Sequence, residues 1–167
     1  LKLDSRFAEA HINLGTSLYY LGWAEGNMGT DPRTTLSQAM GSFQDAIRIQ
    51  PSAWAYRNLG LACTSKARAE LLRGLPPDPS FQQAFEAYEK AIQMNPDHSA
   101  GYNNQGMAYG LKADYEVRVG RDPRPWLTRS LESFQKSLQI NPKQVGALNN
   151  VGVIYKAMGE YEMAQGL

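Results

Sequence analysis

Few residues in this sequence are of a type and spacing that could do chemistry. The histidines are His11 and His98, and the one cysteine is Cys63. His11 lies two residues before Asn13 on an expected helix, where a bulky packing residue belongs, and His98 falls at an expected helix start. Cys63 stands where equivalent stretches hold Leu18, Tyr109 and Tyr155, so a buried and inert thiol is expected. Glu25, Glu70, Glu116 and Glu162 are about 46 residues apart and cannot converge on one metal or one proton. Each is expected to support its own turn, accepting a backbone N–H or pairing with an arginine such as Arg33 or Arg124. No Ser-His-Asp set, metal-ligand cluster or phosphate loop emerges. No catalytic residue, metal or cofactor is therefore assigned, and the chain is read as a non-enzyme. What remains is a set of amides at regular spacing: Asn13, Asn58, Asn104 and Asn150.

The elements that position these amides follow from the same spacing. Each asparagine opens an Asn-x-Gly, with Gly15, Gly60, Gly106 and Gly152 separated by 45, 46 and 46 residues. After each of the first three comes a second pattern: Ala39…Phe43…Ala46…Pro51, Ala84…Tyr88…Ala91…Pro96 and Ser130…Phe134…Ser137…Pro142. Small and aromatic residues at i, i+4 and i+7 share one face of a helix. The closing proline cannot continue that helix. Small residues such as Gly15, Ala39 and Ala46 would let two helices approach, with the aromatic filling the gap beside them.

Between the two patterns, Gly29, Gly74, Gly120 and Gly166 each fall 14 residues after the repeat glycine. Steps of 7 and 14 keep one helical face, so the first helix is expected to run on and end at this late glycine as a C-cap. Asp31-Pro32, Pro77-Asp78-Pro79 and Asp122-Pro123 then mark a turn with Asp as N-cap. The expected helices are 7–28, 33–49, 53–73, 80–94, 98–119, 124–140 and 144–165.

These paired patterns resemble the tetratricopeptide repeat family across nearly the whole chain. Leu14-Gly15-Leu18, Leu59-Gly60-Cys63, Gln105-Gly106-Tyr109 and Val151-Gly152-Tyr155 match its first-helix signature. His11 and Tyr56 stand where the family often has Trp, Ser130 and Ser137 where it has Ala, and each unit is about 46 residues against the family's 34. The resemblance implies an all-α right-handed solenoid of antiparallel helix pairs with extended helices. It divides the chain into 1–6, the tail of a preceding copy; 7–52; 53–97; 98–143; and 144–167, the first helix of a fourth copy. Leu1-Lys2-Leu3-Asp4-Ser5 aligns with Leu138-Gln139-Ile140-Asn141-Pro142, which marks that tail.

The resemblance also implies a non-catalytic scaffold that binds a protein or peptide segment on its concave face. Stacked units would bring the four asparagines into a row, similar to the asparagine ladder of the O-GlcNAc transferase repeats. An amide can match both a peptide N–H and its C=O. The alternative, that each asparagine bonds a neighbouring helix, stays open. Flanking groove candidates are Ile12, Thr16, Arg57, Leu61, Asn103, Met107, Asn149 and Val153, with Trp54 and Tyr20 as ligand-facing aromatics. Only Arg57 is basic among these positions, so a carboxylate clamp is not expected. The Arg121-Asp122-Pro123-Arg124-Pro125 turn, with Ala113-Asp114-Tyr115-Glu116 before it, resembles repeat regions of bacterial eukaryote-like serine/threonine kinases. A regulatory segment of such a kinase is the alternative function, although no kinase motif occurs in these residues.

Composition bounds the partners. The chain has 167 residues, with 17 Lys plus Arg against 16 Asp plus Glu, a net charge of +1. That balance argues against a phosphate-tracking nucleic-acid binder and a polybasic membrane binder. Hydrophobic residues are 43%, too many for a disordered chain. No apolar run approaches the ~20 residues of a membrane span, and a cytoplasmic location is expected. The stripe Tyr155, Met158 and Met163 should be partly exposed, favouring end-to-end self-association.

Overall fold

The computed structural model describes residues 2–166, with side chains from Ser5 onward. Its seven helices are α1 (Lys2–Asn27), α2 (Arg33–Ile49), α3 (Ala53–Leu72), α4 (Asp78–Met94), α5 (Ser99–Arg118), α6 (Arg124–Ile140) and α7 (Val145–Ala164). No strand occurs among the described residues. The chain divides into two compact units, α1–α4 up to Asn95 and α5–α7 from Pro96. In the first, α1 packs on α2, α2 on α3 and α3 on α4, while α1 touches α3. In the second, α6 packs against both α5 and α7.

Glycine sets the distance between paired helices. A Cβ on Gly15 would lie 2.7 Å from the Phe43 ring, one on Gly60 2.6 Å from Tyr88, and one on Gly106 2.8 Å from Phe134. The ring therefore occupies the volume a side chain would need. Gly22 likewise receives Leu36, 2.9 Å from its Cβ position. Gly15 pairs with Phe43 and Gly22 with Leu36, so seven residues up α1 correspond to seven residues down α2, and the pair is antiparallel. Leu36, Phe43, Phe81, Tyr88, Leu127 and Phe134 are all buried. Each such side chain contributes roughly 1.5–3 kcal/mol.

The serines that replace alanine in α6 keep their hydroxyls satisfied. Ser130 Oγ donates to the Gly106 carbonyl at 2.7 Å, and Ser137 Oγ lies 2.9 Å from both the Ser99 carbonyl and Gln144 Oε1. A buried hydroxyl with partners costs little, whereas one without would cost ~1–3 kcal/mol.

The long first helices end where the late glycines stand. Gly29, Gly74, Gly120 and Gly166 have φ of +80°, +67°, +72° and +72°, and among the described residues no other residue type has positive φ. At the first three, two bonds close the turn. Gly29 N–H donates to Gly26 and Thr30 N–H to Glu25; Gly74 N–H to Leu71 and Leu75 N–H to Glu70; Gly120 N–H to Val117 and Arg121 N–H to Glu116. This is the Schellman arrangement, in which a left-handed glycine lets two orphan carbonyls be satisfied.

The glutamates meet the expectation only in part: Glu116 pairs with an arginine, Arg121, but Arg33 and Arg124 find other partners. Their backbone carbonyls, not their carboxylates, accept the turn N–H groups. Glu25 Oε1 accepts from Thr35 Oγ1 at 3.0 Å. Glu116 is buried between Lys112 and Arg121 Nε, the latter at 2.5 Å from Oε2. Arg33 and Arg124 bind Asp31 and Asp122 instead, at 2.6 Å and 2.8 Å. Two residues of separation and an N–H to share favour the aspartates: Asp31 Oδ1 accepts Arg33 N–H at 3.1 Å, and Asp122 Oδ1 accepts Arg124 N–H at 3.0 Å.

The expected break between residues 6 and 7 is absent, because α1 starts at Lys2 and continues through. Ser5 stands where the other copies have Pro51, Pro96 and Pro142. A serine keeps the N–H and lacks the ring that stops a helix.

Candidate functional site

The candidate residues lie on the first helix of each pair, on the turns around the repeat asparagine. In the first unit, α1 contributes Ile12, Asn13, Thr16 and Tyr20, and α3 contributes Trp54, Arg57, Asn58 and Leu61. The guanidinium of Arg57 stacks over Trp54, 4.2 Å from the ring centroid. Its Nη2 donates to Asn58 Oδ1 at 3.1 Å. Its Nε is buried with no hydrogen-bond partner. Burial lowers the Arg57 pKa from the usual guanidinium range, opposed by the surrounding Tyr88, Tyr20 and Tyr19. No carboxylate pairs with it among the described residues. Trp54 and Tyr20 are exposed, Leu61 is half-buried, and the Thr16 hydroxyl donates back to the Ile12 carbonyl at 2.8 Å.

In the second unit, α5 contributes Asn103, Asn104 and Met107, and α7 contributes Asn149, Asn150 and Val153. Asn150 Nδ2 donates to Asn103 Oδ1 at 3.5 Å, joining the two helices through their amides. Asn103 Nδ2 lies 3.7 Å from Met107 Sδ. Met107, Asn149 and Val153 are exposed.

The four equivalent asparagines thus have unequal surroundings. Asn13 is exposed, Asn58 is buried, and Asn104 and Asn150 are half-buried. Asn58 is tied up by Arg57 and Asn150 by Asn103. The amides of Asn13 and Asn104 bond none of the described residues. The Asn150 bridge goes to the residue beside its repeat equivalent, a one-residue offset that periodicity alone does not carry.

The pairing of Trp54 with Arg57 was present as an i, i+3 signal in the second copy only. The equivalent positions hold Glu9 and Ile12, Ala100 and Asn103, and Gly146 and Asn149. The other groups of reactive type are sequestered or dispersed. Cys63 is fully buried, and burial pushes its thiol up to about 12. His11 Nδ1 lies 3.9 Å from Asp45 Oδ2, and His98 stands at the N-cap position of α5 with no side-chain cap hydrogen bond. Among the described residues no group of His, Cys, Asp and Glu could hold a metal ion, and no helix is long and apolar enough to cross a membrane.

Antiparallel helix pairs joined by short turns, each with a glycine seat for an aromatic ring, define an all-α helical-repeat fold. The model of the tetratricopeptide repeat matches residues 87–116 and 133–166, so this part of the chain is similar to that family. Solved structures carry the same fold. The TPR domain of Arabidopsis OM64 superposes with a TM-score of 0.61 at 19% identity, covering 92% of this chain and 98% of that one. The first TPR of Spaghetti (RPAP3), solved with the HSP90 peptide SRMEEVD, gives 0.51 at 16% identity, covering 89% and 98%. The second TPR domain of human RPAP3, solved with the HSP70 peptide SGPTIEEVD, gives 0.51 at 15%, also covering 89% and 98%. No curated protein matches the chain.

Proposed function

We propose that this chain is a non-catalytic scaffold that binds a peptide or protein segment along the face carried by its first helices, the inner face of the repeat. Arg57 is the observation that carries the reading. A half-buried cation with an unmatched Nε, set between exposed Trp54 and Tyr20, costs desolvation and receives no carboxylate in return. Three other copies fold without it, so the fold does not require the pair. In the same unit the Asn13 amide offers unused donors and acceptors and Leu61 adds apolar surface; in the second unit the Asn104 amide, Met107 and Val153 offer the same. That two domains of like fold were solved with bound peptides supports the reading.

The kinase-segment alternative rests on the Arg121–Pro125 turn. There, Asp122 and Arg124 close the turn on each other, a local structural task, so peptide binding is preferred.

A random-peptide array, acetylated at the N-terminus and anchored through the C-terminus, tests the proposal. The chain should select a subset of peptides. Asn104→Ala should weaken those hits by roughly 0.5–1.5 kcal/mol per lost hydrogen bond, and Arg57→Gln should weaken them more, without lowering the melting temperature. No selection above background, or equal binding by both variants, would refute it.

A further inference from the structure

Three first helices carry two seats seven residues apart, and the helix that follows each supplies two knobs at the same spacing. Gly15 and Gly22 receive Phe43 and Leu36. Gly60 and Gly106 receive Tyr88 and Phe134, with Ala67 and Ala113 at the second seat and Phe81 and Leu127 at the second knob in the same register, all buried. The fourth first helix, α7, repeats the spacing with Gly152 and Gly159, yet nothing lies within 4 Å of either Cβ position. Around these seats Val145, Leu148, Tyr155 and Met163 are exposed, Tyr155 at 55% and Met163 at 71%. The internal copies show what kind of surface fills such a face.

That surface has a sequence frame: small, three residues, large, two residues, small. Ala39-Phe43-Ala46, Ala84-Tyr88-Ala91 and Ser130-Phe134-Ser137 follow it. α1 follows it several times, and in Ala10-Leu14-Ser17 and Ser17-Leu21-Ala24 the large residue is exposed, unlike Ile12 and Tyr19 in the other two matches. Leu14 and Leu21 are both 52% exposed, and Phe7, seven residues earlier, is 56% exposed. α1 faces α2 with Gly15 and Gly22, so these leucines are left over on another side of the same helix. A leucine is enough to fill a glycine seat, as Leu36 does at Gly22.

We infer that α7 of one copy docks α1 of a second copy of this chain. The helices run antiparallel, Leu21 seats at Gly152 and Leu14 at Gly159, as Phe43 and Leu36 seat at Gly15 and Gly22. The two faces differ, so the contact is heterologous and a pair of copies still has one free face of each kind. Apolar surface of this extent left in water favours such a contact. The inference stands apart from peptide binding and does not depend on Arg57.

Sedimentation of the full chain and two double variants tests it. Leu14→Glu with Leu21→Glu blocks the knobs. Gly152→Gln with Gly159→Gln fills the seats while raising helix propensity. The unsubstituted chain should gain mass with concentration above the 18.6 kDa monomer. Each variant alone should stay monomeric with unchanged helicity by circular dichroism, and an equimolar mixture should double the mass and stop there. If the seat variant loses helicity, Leu148→Glu with Tyr155→Glu blocks the same face from exposed positions. An unsubstituted chain that stays monomeric, a variant that still associates alone, or a mixture that remains monomeric overturns the inference. So does a synthetic peptide of residues 124–140 binding at α7 where the second copy does not, since a second-helix type partner is then the occupant.

Discussion

Gly60 and Gly152 hold equivalent positions and face opposite demands. At Gly60 an added Cβ would sit 2.6 Å from the fully buried Tyr88 ring, whose only freedom is to move into packed neighbours. Gly60→Ala should therefore cost roughly 1–3 kcal/mol, as overpacking does. At Gly152 nothing lies within 4 Å, so Gly152→Ala should be neutral or stabilise by up to about 1 kcal/mol through helix propensity. Equal melting temperatures for the two variants at low protein concentration would contradict this account. Cys63 makes a second test. Its folded pKa lies near 12 because burial disfavours the thiolate. A raised pKa means the contribution to stability is complete below the ordinary thiol pKa and is lost as pH climbs from there towards about 12. Iodoacetamide should leave Cys63 untouched in the folded chain and label it once urea unfolds the protein; labelling at equal rates in both states would mean the thiol is accessible. Residue types and their period were enough to expect a buried thiol there. They were not enough to resolve the asparagines, because period fixes which face a residue takes but not its neighbours. Arg57 beside Asn58, and Asn103 opposite Asn150, decide what each amide does.

At the scale of elements, the constant spacing of the late glycines made the helix ends legible, since only a residue free to take positive φ can close a Schellman turn at each. Gly74, at φ +67°, should lose roughly 1 kcal/mol or more on substitution by Ala. Gly41, inside α2 with nothing within 4 Å of its Cβ position, should gain about as much. The partners of the turn carboxylates were less legible. An aspartate two residues before an arginine can accept both its N–H and its guanidinium, and this local closure outcompetes the more distant glutamate. Asp31 is held at about 2 by the Arg33 hydrogen bond, and Asp122 is lowered by the same bond from Arg124. A depressed folded pKa gives stability that is present above the ordinary carboxylate pKa and lost as pH falls through the folded value. The stability difference between the unsubstituted chain and Asp31→Asn should therefore be full at neutral pH and shrink from about pH 4 to about pH 2. Both side chains are exposed, so salt should diminish the same difference. A difference that grows on acidification would reverse the assigned sign.

For the molecule as a whole, burial is uneven along the repeat, and stability should follow it. α3 lies between α2 and α4 and buries Ala55, Asn58, Gly60, Ala62, Cys63, Ala67 and Ala69. α7 packs mainly on α6 and buries only Ala147 and Ile154, with Val151, Ala157 and Met158 half-buried on the same side. In a repeat fold stability is close to a sum of unit and neighbour terms, so a helix with one main neighbour opens at lower free energy than one with two. Amide hydrogen exchange at low protein concentration should therefore reach α7 first and α3 late, with the α7 amides exchanging through local opening that leaves α3 protected. The turn after α5 adds a hold on α7, because Arg124 lies 5.8 Å from the Tyr161 ring; Tyr161→Ala should speed α7 exchange further and leave α3 unchanged. Raising the concentration supplies α7 with its second neighbour if Leu14 and Leu21 of another copy seat at Gly159 and Gly152. Protection should then rise in α7 and on the free face of α1 together. The Gly152→Gln, Gly159→Gln variant should show no such rise. Uniform protection of α3 and α7 at low concentration would mean that the seven helices unfold as one block, and that the exposed side of α7 costs the fold nothing.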